Sequence, residues 1–135
     1  MKEKFFYLPF ISIYLCLITL INGIRKQILL KIQFDTNQIL KDISKDKSYF
    51  HTFINKENLA AGILRLAPGD KDTQGPHESD EIYYIIRGDG FLNIDGKDHS
   101  LSEGMSYYVA KNLEHKFHGN KKELLVLYFF GGPDS

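Results

Sequence analysis

The chain has 135 residues, enough for one domain around one modest core. Its 17 Lys and Arg balance 17 Asp and Glu, but unevenly: five basic residues against Glu3 give residues 1–31 a net +4, so residues 32–135 carry −4, a poor match for a nucleic-acid backbone. Cys16 is the only cysteine, which excludes an intramolecular disulfide and a zinc–thiolate centre.

From Phe5 to Ile24 the chain has no charged residue, and as a helix these 20 residues would cross a bilayer core. Residues 1–31 therefore form a hydrophobic N-terminal segment with basic flanks, a candidate transmembrane or signal-like helix. Its exit lacks the small-x-small pattern of a cleavage site, which favours membrane anchoring through residues 5–24 over a cleaved signal peptide. Arg25 and Lys26 on the far side place the following domain in the cytoplasm. The rival reading makes residues 1–29 upstream sequence, with Leu30 as initiator of a plain cytoplasmic protein.

Residues 32–48 read as a short polar helix or linker. Ile39, Leu40 and Ile43 space an amphipathic turn or helix within 35–47, with Asp35 or Thr36 as N-cap. Residues 49–132 then change to short strands broken by turn residues. The expected strands are 49–54, 60–67, 82–86, 90–95, 106–109, 116–118 and 123–130, with Asp95-Gly96 as a hairpin signal. An all-β jelly-roll barrel fits this pattern. Strand 82–86 is apolar on both faces, as is the last strand, so their outer faces should be covered by the second sheet or by a partner subunit in a homodimer.

The chemistry concentrates at His77 and Glu81, four residues apart at the mouth of an apolar strand, and at His115 after several more strands. Imidazole and carboxylate are ligands for iron, manganese, zinc or nickel. Strand parity puts Glu81, Tyr83 and Ile85 on one face. A carboxylate on that face is costly to bury alone, and a cation is the simplest compensation. Glu78 and Asp80 read as surface charge. Gly75 and His77 share a face, with Gln74 and Pro76 pointing away. His118 points away from the face of His115 and Phe117, His99 sits in a polar turn, and nothing near His51 suggests a ligand role. The pocket wall by parity includes Tyr83, Ile85 and Phe117, with some of Tyr107, Val109, Tyr128 and Phe130. Arg65 is the one cation among apolar strand residues. It either binds an anionic ligand or keeps its head in solvent.

From about residue 50 to residue 130 the chain resembles the cupins, a family of small jelly-roll barrels. Gly69, His77, Glu81 and Gly88 match that family's first motif, with six residues between Glu81 and Gly88. Gly104 and His115 match the second, and 15 residues separate Gly88 from Gly104. The resemblance implies that His77, Glu81 and His115 hold one divalent metal ion (Fe, Mn, Zn or Ni) inside the barrel. It also implies action on, or binding of, a small organic molecule. As an enzyme the protein would be a mononuclear metal-dependent dioxygenase, decarboxylase, lyase or isomerase, with Tyr83 or Tyr107 supplying protons. The chain departs from the pattern at Gly75, where the motif has its first histidine, and at Ala110 and Asn112, where it has proline and glycine. The missing histidine keeps open a non-catalytic ligand-binding or sensor role with a weakened or empty metal site.

Overall fold

The computed structural model describes residues 32–46 and 49–133, without the side chains of residues 45 and 46. The chain divides into two units, Met1–Phe34 and Asp35–Ser135, and the second carries the fold described here. The apolar segment 5–24 lies outside the described residues. Among the described residues no helix is long and apolar enough to cross a membrane.

Helix α1 spans Thr36–Asp46. Asp35 is its N-cap: the Asp35 carboxylate accepts the amides of Asn37 at 2.9 Å and Gln38 at 3.3 Å, satisfying donors the first turn leaves free. Ile39 and Ile43, one turn apart, are both buried.

Eight strands follow: β1 Phe50–Lys56, β2 Leu59–Leu66, β3 Glu81–Arg87, β4 Phe91–Ile94, β5 Lys97–Ser100, β6 Ser106–Val109, β7 His115–His118 and β8 Leu124–Phe130. They form a five-stranded sheet in the order β1-β2-β8-β3-β6 and a three-stranded sheet in the order β5-β4-β7, with every pairing antiparallel. Leu92, Leu101 and Phe117 from the smaller sheet and its loop pack with Tyr83, Ile85, Leu64, Val126, Tyr128 and Phe130 of the larger one. This two-sheet all-β core is the expected jelly roll.

Three details differ from the sequence reading. The polar run Lys97–Ser100, which by composition reads as a turn around His99, is a strand paired with β4, and His99 stands half-buried opposite Leu92. Residues 67–80, to which strand parity was applied, contain no strand. The second sheet does not cover the outer face of β3, because Ile82 is 47% and Tyr84 39% exposed.

Two glycines fix how the strands meet. A Cβ at Gly62 would lie 2.0 Å from the Tyr128 hydroxyl and 2.4 Å from the His51 carbonyl, so only glycine lets the tyrosine cross β2 and reach Thr52. Gly88 combines a φ of +109° with a Cβ position 2.6 Å from the Glu123 carbonyl, so the turn out of β3 tolerates no side chain.

Candidate metal centre

Glu81 opens β3 facing inward and is 2% exposed. His115 opens β7 on the opposite sheet and is also 2% exposed. His77 comes from the β2–β3 connection. Its backbone is tied down by the amide of Asn112, which donates to the His77 carbonyl at 2.7 Å. Asn112 sits at φ +64°, a left-handed conformation that asparagine tolerates, so it can stand in the turn where the motif has glycine.

These three side chains converge. One ligand atom from each lies within 4.8 Å of the others. His77 Nε2 is 3.8 Å from Glu81 Oε1, and His115 Nε2 is 3.4 Å from Glu81 Oε2. Donors placed about 2 Å from a common ion stand about 3 Å apart, so these gaps need little closing. His115 Nδ1 donates to the Leu113 carbonyl at 2.8 Å, which leaves Nε2 as the lone pair aimed into the site. His77 Nε2 is buried without a hydrogen-bond partner. A buried polar atom left unpaired is costly, and a cation at this point would satisfy it. The residues present therefore fit a divalent ion.

Tyr83 is the fourth member of the cluster. Its hydroxyl donates to Glu81 Oε2 and lies 3.0 Å from His115 Nε2 and 3.2 Å from Gln74 Oε1. Burial pushes the phenol well above its usual pKa of 10.0, and the charge of Glu81 and its hydrogen bond add to the effect. Burial pulls the His115 imidazole down. The bond to Glu81, the Leu113 carbonyl and the charges of Glu81 and Asp72 outweigh burial, so its pKa is raised from 6.5. Glu81 therefore has a protein partner in Tyr83, and in His115 when the imidazole is protonated, so a cation is not its sole compensation.

The remaining candidates separate cleanly. Phe117 packs edge-on against Tyr83 at 5.0 Å between ring centres. Tyr107 faces inward beside Tyr83, but its hydroxyl donates to the Ser100 carbonyl at 2.8 Å and accepts the Ser102 amide at 3.2 Å. Arg65 lies on the outer face of β2, opposite to the triad. It donates to Glu123 Oε2 at 2.6 Å and to Ser44 Oγ of α1 at 2.6 Å, where Glu123 also receives Arg87. His118 is on the outer side, bonded to Asp98 at 2.9 Å and stacked on Phe91.

Two residues were missed. Asp72 and Gln74 are only 7% and 8% exposed, and Gln74 reaches Tyr83 although parity turned it away. Gly75 is exposed, and a Cβ there would meet nothing within 4 Å. A groove of about 790 Å³ runs between Asp70–Asp72 and β7 and touches the centre through His115 and Asp72. His77 and Glu81 do not line that groove. The open side of the triad is at His77, whose side chain is 14% exposed against 1% for Glu81.

A two-sheet jelly roll with two histidines and a glutamate converging between the sheets defines a cupin. The family model for a cupin domain matches residues 62–131, and the chain belongs to that family. The chain is 30% identical over 92 residues to the uncharacterized protein SCO3923 of Streptomyces coelicolor, covering 68% of this chain and 87% of that one. It is 27% identical over 73 residues to dimethylsulfoniopropionate lyase DddW of Ruegeria pomeroyi, covering 54% of this chain and 48% of DddW. Among solved structures, DMSP lyase DddQ from Ruegeria pomeroyi superposes with a TM-score of 0.57 at 18% identity, over 66% of this chain and 50% of that one.

Proposed function

We propose that the protein binds one divalent metal ion (iron, manganese, zinc or nickel) through His77, Glu81 and His115 and acts on a small organic acid held there. The partnerless, buried His77 Nε2 between two further donors carries this reading. Bound there, a divalent ion would polarise a substrate oxygen. Tyr83 holds a proton at its hydroxyl beside both Glu81 and His115, and burial with the Glu81 charge keeps it on the phenol, which suits it to donate a hydrogen bond at the centre. Phe117 and Phe130 keep that side of the centre apolar. Of the reaction types open to such a site, a lyase is supported by the similarity to DddW, over about half of that protein.

A second reading, a ligand-binding or sensor barrel without catalysis, is favoured by two observations. Position 75 supplies no fourth donor, and the Glu81 and His115 side chains are 1% and 0% exposed, which leaves little room for a substrate.

Elemental analysis of the purified chain tests the centre. The expected result is one equivalent of metal in the wild type and its loss in His77→Ala and His115→Ala. A metal-free wild type refutes the centre, and undiminished metal in both variants refutes the ligand assignment. Loss of dimethylsulfoniopropionate and of related short carboxylic acids, followed by proton NMR with the metal-loaded chain, separates the two readings. Turnover abolished by Tyr83→Phe supports the lyase, whereas no turnover with stoichiometric metal supports the sensor.

A further inference from the structure

Tyr83 has a single hydroxyl hydrogen, yet Glu81 Oε2, Gln74 Oε1 at 3.2 Å and, on the neutral imidazole, His115 Nε2 at 3.0 Å can each accept it. Only one of them can receive it. In the structure Glu81 has the closest approach, so the Gln74 oxygen stands by without a full bond.

The orientation of the Gln74 amide is held in place. Its Nε2 donates to Asp72 Oδ2 at 2.7 Å, and its backbone amide donates to Asp72 Oδ1 at 3.1 Å. Turning the amide over would set its oxygen against the Asp72 carboxylate, acceptor to acceptor, and lose the Nε2–H bond that Asp72 receives. The oxygen must therefore face the phenol. Asp72 is itself anchored by the Phe117 amide at 2.8 Å, two residues beyond His115 on β7. A buried carboxylate with three N–H donors thus aims one amide oxygen at the phenol.

We propose that Gln74, held by Asp72, is a positioning residue that receives the Tyr83 hydroxyl hydrogen when a cation engages Glu81. The proposal rests on metal binding by the His77–Glu81–His115 set. A carboxylate oxygen facing a cation has less to offer a hydroxyl donor. Tyr83 is 0% exposed, so its hydrogen cannot turn to bulk solvent. Gln74 Oε1 gives it a partner within reach, and Glu81 is released to the ion without leaving a buried donor unpaired. Stranding a buried hydroxyl corresponds to roughly ten- to a hundredfold in an equilibrium constant.

The test is Zn²⁺ affinity, measured on the full chain by competition with a chromophoric chelator. Four proteins are compared: wild type, Gln74→Leu, Tyr83→Phe and the double variant. The expected result is about tenfold weaker binding in Gln74→Leu, with no such loss when the same change is made in the Tyr83→Phe background. Melting of the metal-free variants checks that they fold. If the wild type binds no metal, the metal centre itself fails and this inference falls with it. If the wild type binds and Gln74→Leu binds equally well, only the role of Gln74 is refuted. Equal losses in both backgrounds mean that Gln74 acts through general structure, which also refutes it.

Discussion

Removing the His77 imidazole separates metal binding from folding. In the metal-free chain the ring packs 4.8 Å from Phe130, and His77→Ala loses that contact. The same change removes a buried nitrogen without a partner, whose burial costs about 1–3 kcal/mol. The two effects oppose each other, so the metal-free variant should stay within about 2 kcal/mol of wild type. With metal at a hundred times its dissociation constant, the wild type should gain about 2.7 kcal/mol. For a domain near 100 residues that corresponds to about 11–22 °C in Tm. If losing one of three donors weakens binding about a hundredfold, the gain at the same metal concentration falls to about 0.4 kcal/mol, or about 2–3 °C. Differential scanning calorimetry with and without Mn²⁺, Ni²⁺ and Zn²⁺ measures both quantities. A metal-induced shift in His77→Ala equal to that of the wild type would refute the reasoning.

The raised pKa of His115 sets opposite pH trends in the two states. Its contribution to metal-free stability is complete below 6.5 and is lost as pH rises through the raised folded value, whereas metal affinity should climb over that range because binding needs the neutral imidazole; denaturant melts and chelator competition at stepped pH check both trends. Gly62→Ala should destabilise by about 1–3 kcal/mol in urea unfolding, and an unchanged midpoint would contradict the close crossing of Tyr128 over β2. Gly75→His should leave stability in urea unfolding within about 0.5 kcal/mol of wild type, because a Cβ at this exposed position meets nothing within 4 Å, and a larger loss would contradict that open space. The exposed row of Tyr108, Ile82 and Phe129, neighbours across β6, β3 and β8, should be buried against a second copy of the chain. Sedimentation equilibrium should find a dimer that Ile82→Lys with Tyr108→Lys dissociates, and a monomeric wild type rules the pairing out.

Much of the barrel was legible because short apolar runs bounded by turn residues mark strands, and period-two geometry then says which side chains share a face. Glu81, Tyr83 and Ile85 are buried and Ile82 and Tyr84 are exposed, as period-two side-chain geometry requires. The bulge at Ile86 ends that alternation, since Ile85 opposes Val126 and Arg87 already opposes Leu125. Strand β5 was not legible because Lys97, Asp98, His99 and Ser100 are all polar. It is an edge strand held by the Asp95-Gly96 turn, where both residues take positive φ, and by pairing with β4.

The hidden part of the site has a different cause. Parity is a property of extended, paired backbone, and the connection 67–80 is not a strand. There each side chain goes where hydrogen bonds take it. Asp72 and Gln74 are polar residues that composition assigns to the surface, yet both are buried because their polar atoms find partners in each other, in the Phe117 amide and in Tyr83. His77 on the same connection was found only because it stands four residues before Glu81. Spacing to a strand residue survives where parity fails, since it constrains reach and not direction. The convergence of His77, Glu81 and His115 was therefore readable from sequence. The groups that orient them were not, because they act through a fold that must already be closed.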